Sequence, residues 1–309
     1  MSLTIICPGR DMSQWISALK DRAPQLKIEV WPDIADPAAV EFALVWKHPA
    51  GVLAGFPNLR CISSLGAGVD ALLQDTGLPV GVSLVRIVDD ELKQSMAEYV
   101  CLGALQHFRQ FDEYRQQQAD CTWQARPLRH IGTMRVGILG LGELGSHVGG
   151  KLAEMGFAVH GWSRSVKACE GITSYYGDEG LAAFLAVTDI LVCLLPLTPV
   201  TRDILNSKLF RQLPNGAYLI NVARGEHLVE EDLLAAIDAG HLSGALLDVF
   251  KSEPLPQEHP FWRHPRIKIT PHIASITNPE SAVLQILENY SRALSGQPLL
   301  NQVDSQRGY

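Results

Sequence analysis

Short apolar runs alternate with longer amphipathic stretches along the chain. In the first third, residues 3–7, 28–30, 42–45, 61–64 and 83–87 read as strands, with helical pattern between them, as at 12–22. Strands that alternate with helices imply a parallel sheet covered on both faces. Residues 95–118 read as one long helix, interrupted only by Gly103 and long enough to link two domains. A polar, turn-rich stretch follows at 120–133. A second alternating series then begins, with strands expected at 134–140, 158–162, 190–194, 217–221, 244–248 and 267–270 and a last helix at 279–295. Two βα-alternating series in 309 residues fit two domains.

Composition narrows the class. Hydrophobic residues make up 47% and charged residues 19%, a globular balance with material for two cores. The net charge of −7 gives no global field for nucleic acid or an anionic membrane surface, so neither is expected as a partner. The longest apolar run, 190–195, falls far short of the ~18 residues of a membrane span. The first residues lack a basic leader region, and the six cysteines form no CxxC pair. Reduced, mostly buried thiols and a cytoplasmic location are expected. The scattered histidines form no HxxxH or HExxH helix, so no metal site is expected.

The chemistry-bearing motifs lie in the second series. Gly140-Leu141-Gly142-Glu143-Leu144-Gly145 follows an apolar strand and opens an amphipathic helix at 144–155. In that setting Gly140 allows a tight turn, Gly142 lets backbone approach a pyrophosphate, and Gly145 lets helix and strand pack closely. The helix N-terminus adds unpaired N–H groups and partial positive charge. A glycine-rich turn without a ligand is the competing reading. A ribose-reading carboxylate belongs about 20 residues further on. There the chain has Trp162, Ser163, Arg164, Ser165 and Lys167 and no carboxylate. Arg164 can grip a 2′-phosphate bidentately, which predicts NADPH/NADP as the preferred cofactor, with NADH/NAD possible. Solvated loop charges are the alternative.

Three further groups each follow an expected strand: Arg224 after 217–220, Glu253 beyond Asp248, and His272 after Thr270-Pro271. Ligands of open α/β sheets bind at that edge. An arginine there can hold a substrate carboxylate and polarise the neighbouring carbonyl. A histidine can deliver a proton as hydride arrives at carbon. A glutamate can orient the imidazole and keep its acid form available near neutral pH. Singly, each has a plainer reading, as a surface pair, a helix-start carboxylate or a satisfied loop histidine.

These blocks, in this order, resemble the D-isomer-specific 2-hydroxyacid dehydrogenases. The resemblance also runs through Ser-Leu-Gly-Ala-Gly-Val-Asp at 64–70, Cys-Leu-Leu-Pro-Leu-Thr-Pro at 193–199, Asn-Val-Ala-Arg-Gly at 221–225, Leu-Asp-Val-Phe at 247–250 through Glu-Pro-Leu-Pro at 253–256, and the endings 302–304 and 307–309. It implies two Rossmann-like, doubly wound parallel-sheet α/β domains with the active site in the cleft between them. The first, flavodoxin-like substrate domain is discontinuous (1–97 plus 275–309), and 98–274 forms the dinucleotide-binding domain. It implies Arg224, Glu253 and His272 as the catalytic set and Ala67 and Gly68 as a backbone cradle for the substrate carboxylate. Leu195, Pro196, Val222 and Ala223 would line the cofactor pocket, and Asp248 would contact the nicotinamide amide. Trp46 would wall a small substrate pocket, unless it is ordinary core. The implied activity is NADPH-dependent reduction of small 2-keto acids, glyoxylate to glycolate and hydroxypyruvate to D-glycerate, by a homodimer joined through the cofactor domain. A D-lactate-type enzyme for larger keto acids and a non-catalytic nucleotide-sensing protein are the alternatives on this scaffold. The carboxylates of 88–93 depart from the expected pattern.

Overall fold

The computed structural model describes residues 2–304, 307 and 308; Tyr309, part of the C-terminal motif, lies outside the described residues. The chain divides into two compact units, residues up to Leu92 with those from Ile276 onward, and Lys93–Ser275. Each is a parallel-sheet α/β unit, and the first is discontinuous in sequence.

The first unit is built on β1 (Ser2–Ile6), β2 (Ile28–Val30), β3 (Val40–Val45), β4 (Cys61–Ser64) and β5 (Ser83–Val85). They pair in the order β2-β1-β3-β4-β5, all parallel. β1, β3 and β4 are buried at every position, as a sheet covered on both faces demands. Helix α1 (Ser13–Arg22) starts where the Asp11 carboxylate accepts the Ser13 N–H and hydroxyl, and it turns Trp15, Ala18 and Leu19 onto Leu3, Ile5, Phe42 and Leu44. A short α2 (Asp70–Leu73) follows β4. The final helix, Pro279–Ser295, returns to this core through Ala282, Val283 and Ile286. Its bounds are written in sequence: Asn278 caps the Glu280 N–H, proline opens the first turn, and Gly296 closes it at φ 70°.

The chain enters the second unit within α3 (Asp90–Phe108), and α4 (Phe111–Ala119) follows, where the pattern predicted a single helix at 95–118. The break is at Gln110, in the left-handed region at φ 58°, whose side chain is held by the Pro127 carbonyl and the Arg126 Nε. The start is earlier than expected because the Asp89 carboxylate caps the Leu92 N–H. Asp89 also accepts the Ser281 hydroxyl, and Glu91 accepts the Asn278 amide, so two carboxylates of the unexpected 88–93 segment fasten the final helix.

The sheet of this unit contains β6 (Arg135–Leu139), β7 (Ala158–Ser163), β8 (Ile172–Tyr176), β9 (Ile190–Cys193), β10 (Ala217–Asn221), β11 (Leu242–Leu247) and β12 (Ile267–Ile269), joined by α5 (Glu143–Glu154), α6 (Gly177–Ala186), α7 (Ser207–Phe210) and α8 (Glu230–Asp238). The order is β12-β11-β10-β9-β6-β7-β8, again all parallel. Leu139, Leu191 and Leu219 face α6, α7 and α8, while Val136, Ile138 and Val192 face α3 and α5, which makes the sheet doubly wound. Edge strand β8, Ile-Thr-Ser-Tyr-Tyr, was not expected: no position is fully buried, so its apolar alternation is weak.

Candidate active site

The sheet order reverses at β6, which lies between β7 and β9, and such a switch point opens a crevice at the strands' C-terminal ends. The glycine turn occupies it. Gly140 has φ 113°, and a side chain there would meet the Leu194 carbonyl oxygen at 2.9 Å. A Cβ at Gly145 would stand 1.9 Å from the Gly140 carbonyl oxygen, so α5 can pack this close to β6 only with glycine. A Cβ at Gly142 would meet nothing within 4 Å, which leaves open space at the start of a twelve-residue helix. Glu143 and Leu144 form the first turn of that helix. These features fit a dinucleotide pyrophosphate.

Beyond β7, Arg164, Ser165 and Lys167 are exposed on one short loop, and Ser163 closes it by donating its hydroxyl to the Ser165 carbonyl. Trp162 lies beneath them in the core, its indole N–H on the Gly177 carbonyl. Leu195, Val222 and Ala223 are likewise buried, at the ends of β9 and β10. Pro196 begins a turn whose carbonyl accepts the Thr201 hydroxyl at 2.7 Å.

Arg224, Glu253 and His272 follow β10, β11 and β12, three successive neighbours in the sheet. Asn221, fully buried, shapes the first loop: its side chain accepts the Ala223 N–H and donates to the Arg224 carbonyl. The Arg224 Nη1 donates to the Ala223 carbonyl at 2.7 Å. The next residue is glycine because its Cβ would lie 1.9 Å from the Phe250 carbonyl carbon, so the arginine loop presses directly on the glutamate loop. Both Glu253 oxygens face the His272 Nδ1, at 3.1 and 2.9 Å, and one also accepts the Phe250 N–H. The His272 Nδ1–H is therefore the donor to the carboxylate, and Nε2 is the nitrogen turned to chemistry. Both side chains are partly exposed, 33% for the imidazole and 23% for the carboxylate, so a ligand can reach them.

His272 itself stands at φ 56°, a region that L residues rarely adopt. Asp248 holds it there. The Asp248 carbonyl accepts the His272 N–H, and its carboxylate accepts the Ile273 and Ala274 N–H groups and the Thr270 hydroxyl. Thr270 in turn meets the Tyr99 hydroxyl at 2.5 Å. Burial pushes the Tyr99 phenol up to about 12, so it stays neutral. The resemblance implies a contact of Asp248 with the nicotinamide amide; in the structure its carboxylate also holds the histidine loop through three hydrogen bonds. Tyr99 and this support were missed, since nothing in the spacing of 99, 248 and 270 joins them before the fold does.

In the first unit, Trp46 follows β3 at that sheet's own switch point, with its N–H on the Ile6 carbonyl. Its ring packs on Gly66, where a Cβ would come within 3.3 Å of it. Ala67 and Gly68 are half-buried on the turn after β4, which the Ser64 hydroxyl folds by donating to the Gly68 carbonyl at 2.7 Å.

A doubly wound parallel sheet with a glycine phosphate turn at its switch point, and an arginine, a glutamate and a histidine on the same edge, defines a dinucleotide-dependent dehydrogenase domain. The chain belongs to the D-isomer specific 2-hydroxyacid dehydrogenases, whose NAD binding domain matches residues 102–274. It is 45% identical, over 314 aligned positions covering both chains fully, to a glyoxylate/hydroxypyruvate reductase A of Yersinia enterocolitica. Among solved structures it is similar to a D-isomer specific 2-hydroxyacid dehydrogenase of Xanthobacter autotrophicus in complex with NADPH (43% identity, TM-score 0.96, 100% and 99% of the two chains). It is also similar to an NADPH-dependent glyoxylate/hydroxypyruvate reductase of Sinorhizobium meliloti in complex with NADP (38% identity, TM-score 0.94, all of both chains).

Proposed function

We propose that this chain, an NADP(H)-dependent oxidoreductase, reduces small 2-keto acids, glyoxylate to glycolate and hydroxypyruvate to D-glycerate. The observation that carries the reading is the His272–Glu253 pair, with both carboxylate oxygens on Nδ1. It fixes the ring so that Nε2–H points away from the glutamate, as proton donation to a substrate carbonyl requires. The relatives named above support the substrate class.

NADPH, when bound, supplies the hydride that adds to the substrate's C2. His272 then delivers its Nε2 proton to the carbonyl oxygen and recovers one from solvent, so the net reaction consumes one hydride and one proton. Glu253 holds the ring through that cycle. Arg224 pairs with the substrate carboxylate and draws electron density from the adjacent carbonyl. Ala67 and Gly68 offer backbone N–H groups to that carboxylate, and Trp46 restricts the substituent at C3. Gly140, Gly142 and Gly145 with the start of α5 receive the pyrophosphate, and Arg164, assisted by Ser165 and Lys167, grips the 2′-phosphate.

The chain forms a homodimer through its second unit in this reading. After α4, Trp123 is 103% and Leu128 95% exposed, and Phe111 at the start of α4 is half-exposed. Among the described residues no helix is long and apolar enough to cross a membrane, and all six cysteines are free thiols, which supports a reducing, cytoplasmic setting.

The test is NADPH oxidation followed by absorbance with glyoxylate, hydroxypyruvate and pyruvate, repeated with NADH. Turnover of the first two with NADPH supports the proposal. Turnover mainly of pyruvate, or with NADH, refutes the assignment of Trp46 or of Arg164. Cofactor binding without any turnover refutes the enzyme's proposed substrates.

A further inference from the structure

His227 shares a loop with Arg224, is fully buried, and has no part in the chemistry above. Its ring lies between two carbonyl oxygens. Nδ1 is 3.1 Å from the Arg224 carbonyl, and Nε2 is 3.3 Å from the Pro196 carbonyl. These carbonyls sit on the arginine loop after β10 and on the turn after β9, the two chain segments assigned to substrate carboxylate and to cofactor. Neither approach is incidental to a mobile loop. The Pro196 turn is closed by Thr198 and Thr201, which exchange bonds between hydroxyls and backbone N–H groups. The segment around His227 pairs with the chain after that turn: Asp203 N–H donates to the Glu226 carbonyl, Leu205 N–H to the His227 carbonyl, and Val229 N–H to the Leu205 carbonyl. The imidazole is thus the side-chain link within a backbone seam that joins the two segments.

We propose that His227 is a positioning residue that ties the backbone of the arginine clamp to the cofactor-side turn at Pro196, setting their separation with one buried ring. The proposal rests on the reading of Arg224 and Pro196 given above. Burial drives the ring towards its neutral form against the pull of both carbonyls. A neutral ring carries one N–H, so only one tie is a full hydrogen bond at a time. An apolar residue of similar volume would fill the space but hold neither carbonyl.

Two amide variants separate the ties, because an asparagine amide nitrogen falls near the place of Nδ1 and a glutamine amide nitrogen near that of Nε2. His227→Asn keeps the tie to Arg224 and loses that to Pro196. NADPH dissociation, read by fluorescence titration, should weaken about five- to tenfold while the keto-acid KM stays within about twofold. His227→Gln should reverse the pattern, and His227→Leu should lose both. Equal changes in both constants for the Asn and Gln variants would overturn the proposal. So would a fall in melting temperature alone, with Kd and KM of the folded enzyme unchanged. Should the wild-type chain not reduce keto acids, the functional reading fails on that control, and the NADPH titration of His227→Asn still decides the tie at Pro196.

Discussion

At φ 56° the backbone of His272 is in a conformation that asparagine tolerates better than most residues, which makes Asn the cleanest replacement for it. His272→Asn keeps the loop and removes the acid. It should lower kcat about 10²–10⁴-fold and leave NADPH affinity nearly intact, as single-turnover kinetics and cofactor titration will show. Loss of cofactor binding with kcat preserved would exclude the role. Arg164 is tested by discrimination: Arg164→Ala should raise the KM for NADPH at least about tenfold more than that for NADH, since only NADPH carries the 2′-phosphate. Equal effects on the two would remove Arg164 from phosphate recognition. Asp248 also has a structural part in the site. At 1% exposure its carboxylate serves the Ile273 and Ala274 amides, and the histidine loop depends on that support.

At the scale of elements, the entry of β6 and that of β9 are joined by one bidentate pair. The Asp189 carboxylate takes the Arg135 Nε at 2.9 Å, Nη2 at 2.6 Å and backbone N–H at 3.0 Å. Burial opposes ionisation of Asp189, but these donors outweigh it and hold its pKa below the ordinary aspartate value. A depressed folded pKa means the unfolded chain binds the proton more readily. The stabilisation is complete above about pH 4 and is lost as pH falls through the lower folded value. Thermal unfolding followed across that acid range should show a shallower pH dependence in Asp189→Asn, together with a loss of about 1–2 kcal/mol at neutral pH. An unchanged slope would show that the pair contributes nothing to acid stability. Apart from edge strand β8, strand positions in both sheets were legible in sequence, because buried parallel strands leave continuous apolar runs such as Ile190–Cys193. The glycine turn was legible too, since Gly140 and Gly145 are places where a Cβ has no room. The break at Gln110 was not, for it depends on Arg126 and the Pro127 carbonyl, which the helical periodicity of 95–118 does not contain. Nor were Tyr99 and His227, whose partners Thr270 and Pro196 lie far off in the chain and whose types alone suggest only core aromatics.

At the scale of the whole molecule, Trp123 and Leu128 stand exposed on the second unit, and a second copy is their proposed cover. Light scattering should give about twice the 33.9 kDa chain mass, and Trp123→Glu combined with Leu128→Glu should shift it towards the monomer. A wild-type monomer at micromolar concentration would refute the dimer. The order of the seven-stranded sheet has a different consequence. Arg224, Glu253 and His272 hang from β10, β11 and β12 on one flank, while Arg164 hangs from β7 on the other, with β6 and β9 between. The proposed reacting groups therefore come from one uninterrupted stretch of gene, and the proposed discriminator of phosphorylated from plain dinucleotide from another. Recombination or directed evolution can exchange one stretch and keep the other, so coenzyme preference and catalytic power are free to be inherited separately.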